Sequence, residues 1–183
     1  MKLSILICSL NSRHDLLDRL HRRLKPQTNS AVEILVYPDN GEITTGKKRN
    51  ELLQSARGDY IAFVDDDDLV SPDYVSKILR ALESKPDCCS LQGEIEMTVK
   101  HQKGSQRVKR LFKHSLQYKS WYTENDVYYR CPNHLNAVRR DLASAIGFPN
   151  VTIGEDKNYS ERLLKVLKTE VPISGTIYYY YAG

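Results

Sequence analysis

Residues 60–69 read YIAFVDDDDL, an apolar run that ends directly in four carboxylates. The aromatic and β-branched content of residues 60–64 predicts a short buried strand. Adjacent carboxylates repel one another where water is excluded, and a divalent cation that prefers oxygen ligands (Mg²⁺, Mn²⁺ or Ca²⁺) removes that repulsion. The stretch therefore predicts a metal site at the end of a strand. The alternative is an acidic turn that caps the next helix, a role open to Asp68 and Asp73.

Strand-like and helix-like segments alternate around this stretch. Each apolar run is followed by apolar residues at helical spacing, which predicts strands at 3–8, 32–37 and 60–64 and helices near 16–24, 44–56 and 71–82. Ser12 and Thr44 are the expected caps of the first two helices. The pattern predicts an α/β fold, a Rossmann-like three-layer sandwich with a mostly parallel central sheet. Ligands bind at the carboxyl ends of such strands, so the loops after Cys8, Tyr37 and Val64 are the candidate site.

The second half of the chain is less regular. No repeat or linker interrupts it, so we predict a single domain over residues 1–183. The expected elements are a hairpin within 88–112 around Lys103, Gly104 and Ser105, loops over 118–130, a helix at 139–146, a helix at 155–167 and a last strand at 171–180.

Charge and composition narrow the class of protein. A net charge of +4 suits an anionic ligand such as a nucleotide diphosphate, but by itself it is too small to indicate nucleic acid. Four cysteines without a C-x-x-C pair argue against a zinc site or a disulfide framework. No apolar run approaches the ~20 residues of a membrane span or resembles a signal peptide. We therefore expect a cytoplasmic protein, with peripheral contact to a membrane left open.

Several motifs together resemble the family 2 glycosyltransferases of the GT-A fold. They are GKKRN at 46–50, GDYIAFVDDDD at 58–68, PD at 72–73 and GED at 154–156. The resemblance covers most of the chain and is densest over 1–85 and 131–165. It implies a metal-dependent, inverting transfer of a sugar from a nucleotide-diphosphate sugar, most often a UDP-sugar, to an acceptor hydroxyl.

The resemblance also assigns roles to residues. Asp67 would bind the Mn²⁺ or Mg²⁺ that bridges the two phosphates, Asp66 would contact the ribose, and Asp65 would support the metal. Asp39, after the second strand, would hydrogen-bond the base. The loop after the first strand would hold the base and the ribose through Ser9, Leu10, Asn11 and Arg13.

Basic residues open the second helix. Lys47 and Arg49 are candidates for binding the nucleotide, and Lys48 is expected to be solvated. The alternative is a solvated basic face throughout.

The acidic pair Glu155 and Asp156 opens the last helix. Acidic residues stabilise a helix N-terminus, which is the alternative explanation. Transfer with inversion needs a carboxylate that takes the proton of the acceptor hydroxyl. The resemblance assigns this role of general base to Asp156, with Glu155 as its neighbour or orienting residue.

Other residues could complete the site. His134, between two asparagines, is a candidate contact of the diphosphate, the metal or the acceptor, and a buried structural histidine is the alternative. Tyrosines at 178–181 occupy the region in which many family members carry a metal-binding histidine. Aromatic residues near Arg130 could line an acceptor groove or belong to the core. The basic run at 100–119 is most simply a solvated face, and an anionic or nucleic-acid acceptor is the rarer explanation.

Two other functions remain open from the sequence. One is nucleotidyl transfer, although residues 9–13 lack the glycine-rich loop usual for it. The other is a non-catalytic module that binds a nucleotide sugar or calcium. The acceptor, whether a glycan, a lipid-linked glycan or another hydroxyl compound, is not specified, and a homodimer is left open.

Overall fold

The computed structural model describes residues 1–101 and 104–182. The helices are α1 (His14–Leu24), α2 (Thr45–Ser55), α3 (Tyr74–Ala81), α4 (Arg140–Ile146) and α5 (Glu155–Leu163). The strands are β1 (Leu3–Leu10), β2 (Val32–Asp39), β3 (Tyr60–Phe63), β4 (Leu69–Val70), β5 (Cys88–Cys89), β6 (Leu91–His101), β7 (Gly104–His114), β8 (Tyr122–Glu124), β9 (Val127–Arg130), β10 (Val138–Arg139), β11 (Glu170–Val171) and β12 (Tyr178–Ala182).

The central sheet has the order β11-β5-β10-β3-β1-β2. Strand β1 runs parallel to both β2 and β3, as the alternating pattern predicts. Strand β10 runs antiparallel to β3 and β5, because it is reached from the second sheet without a crossover helix. The α/β class is confirmed, with one antiparallel strand inside the sheet.

Helices cover both faces of this sheet. Alternate residues of β1 face opposite sides, so Ile5 packs in one apolar cluster and Leu6 in the other. The first cluster includes residues of α1 and α3, and the second includes residues of α2, α4 and α5. This arrangement is the predicted three-layer sandwich, and it explains why β1 and β3 are apolar on both faces.

The second sheet, β4-β12-β6-β7-β9-β8, was only partly predicted. Strands β6 and β7 form the expected antiparallel hairpin. Its predicted turn begins at Lys103, which lies outside the described residues. The predicted loops over 118–130 are wrong, because β8 and β9 pair there and Tyr122 stacks on Tyr129 at 4.9 Å between ring centroids.

Some element boundaries also differ. The predicted last strand divides into β11 and β12 on different sheets, since Gly175 adopts a φ of +79° between them. Helix α5 ends at Leu163, earlier than expected. Thr44 caps α2 as predicted, accepting a hydrogen bond from the Lys47 amide at 3.2 Å. Ser12 does not cap α1, which follows a short 3₁₀ turn.

Across the described ranges, none of the helices has both the length and the apolar character needed to cross a membrane.

Candidate active site

The acidic run follows β3 and is held by hydrogen bonds with residues of the second sheet. The Tyr178 hydroxyl accepts a hydrogen bond from the Asp65 amide at 3.1 Å and donates one to Asp68 at 2.8 Å. The Tyr181 amide also donates to Asp68, at 3.0 Å. Burial, followed by the charge of Asp65, raises the pKa of Asp68 to about 8. Asp68 thus lies in the turn, where it anchors the loop to β12.

Asp66 connects the acidic run to the loop after β1. Its buried carboxylate accepts hydrogen bonds from the Ser9 hydroxyl at 2.7 Å, from the Leu10 amide at 3.4 Å and from Arg13 at 3.0 Å. These four residues line a cavity of about 390 Å³ at the carboxyl ends of β1 and β3. The chain therefore brings together most of the predicted nucleotide contacts.

Among the first three aspartates of the run, residues 65–67, Asp67 has the most exposed carboxylate. It is 36% exposed and pairs with Arg13 at 3.1 Å. Burial and the charge of Asp65 raise the pKa of Asp67. A guanidinium thus already lies between Asp66 and Asp67, which shows that this position favours a positive charge. This electrostatic environment suits the predicted role of Asp67 as a metal ligand.

Asp65 contacts a protein side chain through each of its two carboxylate oxygens. One of its oxygens pairs with Arg49 at 3.1 Å, and the other lies 3.5 Å from the His134 ring. Burial acts to raise the pKa of Asp65, but the His134 contact and the charge of Arg49 act against it and the net shift is downward. These two contacts suit the predicted supporting role of Asp65, and its binding of the metal stays a prediction.

No group of three or more His, Cys, Asp or Glu side chains is arranged for a metal within residues 1–101 and 104–182. A cation at Asp67 would therefore need oxygen ligands from phosphates and water. Mg²⁺ commonly binds in this way, through one or two carboxylates and the substrate's phosphates.

Arg49 links the acidic run to the acidic pair at the start of α5. Its buried guanidinium donates to Asp65 and, at 2.9 Å, to Glu155. The rings of Phe63 and Phe148 lie 5.6 Å and 5.4 Å from it. Burial raises the pKa of Glu155, against the opposing charge of Arg49. Arg49 was predicted to bind the nucleotide, and in the structure it joins two carboxylates.

The exposure of the two neighbouring lysines differs from the prediction. Lys48 is only 4% exposed and donates to the Asp39 carboxylate and to the Ser9 carbonyl, the latter at 3.0 Å. The prediction that Lys48 is solvated is wrong. Lys47 is exposed and does not line either cavity of the site. The helical turn explains this, because Lys48 lies four residues before the buried Leu52.

Two residues that were predicted to contact the base form hydrogen bonds with other residues of this chain. Asp39 accepts hydrogen bonds from the amides of Gly41 and Ile43, at 3.1 Å and 3.0 Å, in addition to the one from the Lys48 ammonium. Asn11 donates to the Asn40 side chain at 2.8 Å and lies outside the cavity lining. Both shape the loop after β2, and a contact of Asp39 with a base stays a prediction.

A second cavity, of about 520 Å³, adjoins the first. His134, Glu155 and Asp156 line one part of it. Asp156 is half-buried, and one of its oxygens accepts a hydrogen bond from the Lys157 amide at 2.7 Å. The residues common to both cavities are Arg49, Asp65, Thr152 and Tyr180. Asp156 thus lines the second cavity, next to the first cavity, which contains the acidic run.

Tyr178 and Tyr180 belong to the site although no sequence motif indicates it. Tyr178 holds the acidic loop, and Tyr180 lies at the boundary of the two cavities. A run of four tyrosines carries no motif that would have marked these roles.

Comparison with known proteins identifies the family. The sequence pattern described as "Glycosyl transferase family 2" matches residues 42–147, more than half of the chain, and the chain belongs to this family. The match includes Arg49 and the acidic run and ends before Glu155. EpsH of Bacillus subtilis (strain 168), whose name describes it as a glycosyltransferase, is 40% identical over 57 residues, which are 30% of this chain and 17% of that protein.

Two solved structures show the same fold. TarS of S. aureus (residues 1–349, in complex with UDP-GlcNAc) matches 100% of this chain and 59% of its own, with a TM-score of 0.71 and 17% identity. The mannosyltransferase PcManGT of Pyrobaculum calidifontis, in complex with GDP-Man and Mn²⁺, matches 97% of this chain and 56% of its own, with a TM-score of 0.62 and 13% identity. The chain spans less than two thirds of the length of each relative.

Proposed function

We propose that this chain catalyses metal-dependent transfer of a sugar from a nucleotide-diphosphate sugar to an acceptor hydroxyl, with inversion. One observation carries the proposal. Arg49 binds Asp65 of the acidic run and Glu155 of the acidic pair, so that residues far apart in the sequence share one cleft. A donor and an acceptor must meet in this way for transfer to occur.

The donor belongs in the cavity at the acidic run. Ser9, Leu10 and Arg13 line it, and its polar groups suit a ribose and a diphosphate. We infer a UDP-sugar, since TarS binds UDP-GlcNAc, with Mn²⁺ or Mg²⁺, since PcManGT binds Mn²⁺. Asp67 would hold the cation, which supplies positive charge to the diphosphate as it departs. Arg13 would then give up its contact with Asp67.

The acceptor belongs in the adjoining cavity, with Asp156 as general base. The acceptor oxygen forms a bond to the anomeric carbon while the bond from that carbon to the phosphate oxygen breaks. Asp156 takes the hydroxyl proton, and the bonding electrons leave with the diphosphate. A single in-line displacement inverts the anomeric centre. Glu155, held by Arg49, fixes the start of α5 and thereby the position of Asp156.

A thermal-shift panel tests the donor and the metal together. UDP-, GDP- and dTDP-sugars are added with Mn²⁺ or with EDTA. We expect at least one UDP-sugar to raise the melting temperature with Mn²⁺ only, as ligand binding stabilises the folded state. Asp67→Ala should lose this increase, whereas Asp15→Ala, which removes a 90% exposed carboxylate on α1, should keep it. A panel without any shift would contradict the proposal, and an equal shift in EDTA would contradict its metal dependence.

A further inference from the structure

The second cavity continues away from Asp156 along the second sheet. There its lining includes Trp121, Tyr128 and Arg130. The Arg130 guanidinium lies 4.8 Å from the Trp121 ring centroid and 5.2 Å from that of Tyr128. Its Nη1 donates to the carbonyls of Tyr122 and Tyr129, at 3.2 Å and 3.0 Å. The backbone and the aromatic rings thus fix a cation in the wall of the cavity.

Within the part of the chain that the structure describes, this cation has no carboxylate partner. Arg107, Lys109 and Arg110 of the same sheet pair with Glu96, Glu94 and Asp126. Those pairs neutralise much of the basic run. Arg130 is bonded only to backbone carbonyls and packs on rings, and burial lowers its pKa although the charge of Asp156, which forms no salt bridge with it, acts in the opposite direction. A partly buried charge without a counter-ion is unfavourable, and an anion from solution would compensate it.

The cavity has the size and the lining of a small-ligand site. Its volume of about 520 Å³ lies in the range of such pockets, which combine apolar walls with a few polar groups. Ile95, Met97 and Trp121 supply apolar surface here, and Asp156 lines the same cavity. A ligand seated at Arg130 can therefore extend toward the proposed general base.

We propose that the acceptor is an anionic glycan whose carboxylate or phosphate group binds Arg130 while one of its hydroxyls lies at Asp156. This inference rests on the proposed function, because it takes the second cavity as the acceptor site. Arg130 then selects acceptors by charge and has no part in bond formation. A uronic acid and a sugar phosphate share the required chemistry.

The fluorescence of Trp121 can report binding in this cavity, because Trp121 is the only tryptophan of the chain. Its emission is recorded while methyl β-glucuronide, glucose 6-phosphate or neutral methyl β-glucoside is added to the full chain at physiological ionic strength. We expect either anionic probe to change the emission, at concentrations about tenfold lower than the neutral probe, as a charged hydrogen bond implies. The two anionic probes distinguish carboxylate from phosphate.

Three variants test the role of Arg130. Arg130→Gln should lose the preference for anionic probes, and Arg130→Lys should keep most of it, which separates loss of charge from misfolding of β9. Lys119→Gln changes the net charge equally at an exposed position outside the cavity and should behave as wild type. Equal binding of neutral and anionic probes by wild type, no response to any probe, or an unchanged preference in Arg130→Gln would overturn the inference.

The same samples separate this inference from the proposed function. A shift in melting temperature with a nucleotide sugar reports the donor site, whereas Trp121 emission reports the anion. A donor response without an anion response contradicts only the acceptor inference. An anion response without any donor response supports the Arg130 site and contradicts the transferase proposal.

Discussion

At the scale of single residues, Arg49 affects both the stability of the fold and the geometry of the cleft. Its guanidinium is buried between Asp65 and Glu155, and the ring centroids of Phe63 and Phe148 lie 5.6 Å and 5.4 Å from it. Each carboxylate would otherwise be left partly desolvated without a counter-charge. The residue therefore contributes to stability and to the geometry of the cleft at once.

Replacing Arg49 should destabilise the fold strongly. Arg49→Met removes the partner of two carboxylates, and breaking a buried ion pair typically costs about 3–5 kcal/mol. Urea unfolding of Arg49→Met and of Lys47→Met, an exposed position two residues earlier, measures the difference. Similar free energies of unfolding for the two variants would contradict the bridging role.

Some of the individual site residues could be predicted from the sequence and others could not. The acidic run and the acidic pair were found because local motifs carry them. The burial of Lys48 was predictable, because Lys48 and Leu52 share a helix face. The partners of Arg49 were not predictable, since they come from two other segments of the chain that only the fold brings together.

At the scale of elements, the second sheet holds the acidic loop through β12. Tyr178 contributes both a donor and an acceptor to that loop. The separate elements around β1 and β3 were predictable from local periodicity. Strands β8 and β9 were not, because the pairing of β8 with β9 and of β9 with β7 depends on non-local contacts.

Removing one hydroxyl should test this attachment. Tyr178→Phe removes the only side-chain donor to the Asp68 carboxylate and the acceptor of the Asp65 amide among the described residues, which costs about 1–3 kcal/mol. Tyr74→Phe is the matched control, because the Tyr74 hydroxyl is buried and forms no hydrogen bond with any described residue. Chemical denaturation should show a loss for Tyr178→Phe and none for Tyr74→Phe. Equal losses would contradict the attachment.

Helix α2 also contacts the segment that leads to the acidic pair. The Gly46 amide donates to the Val151 carbonyl at 3.0 Å, and a Cβ at Gly46 would lie 1.9 Å from the Pro149 carbonyl oxygen. In an open helix, Gly→Ala stabilises by about 0.5–1 kcal/mol. Here Gly46→Ala should destabilise by about 1–3 kcal/mol, as overpacking does. A melting temperature above that of wild type would show that the contact is absent.

At the scale of the whole molecule, the two sheets meet where a neutral histidine is buried. Burial lowers the pKa of His114 to about 3, and the nearby charge of Arg130 acts in the same direction, whereas the hydrogen bond with Asn136 opposes the shift. The unfolded chain binds a proton below a pH of about 6.5, and the folded chain does not until about 3. Stability from this group is therefore present above pH 6.5 and is lost progressively as the pH falls.

The pH dependence can be measured directly. Between pH 6 and pH 5 the contribution of His114 to the free energy of unfolding should fall by up to about 1.4 kcal/mol per unit, while the raised pKa of Asp68 acts in the opposite direction in wild type and variant alike. His114→Gln retains a hydrogen-bonding side chain for Asn136 and should show a smaller slope in urea titrations over this range. An identical slope in the variant and in wild type would contradict the neutral, buried state of His114.

The overall class was predictable because three strand-helix units precede residue 85 in regular order. The antiparallel insertion of β10 and the division of the last strand were not, since a short strand gives little periodic signal. A single domain over residues 1–183 stays a prediction. The proposed function depends on the cleft between the acidic run and α5.

The most direct test of the account is the rate of nucleoside diphosphate release by Asp156→Asn. The rate is measured with the donor identified by thermal shift and with neutral and anionic glycosides as acceptors. Asp141→Asn, a change at a 65% exposed carboxylate on α4, is the control. The account predicts that Asp156→Asn loses at least about 100-fold in acceptor-dependent release while the donor still raises its melting temperature. Release at the wild-type rate would contradict it.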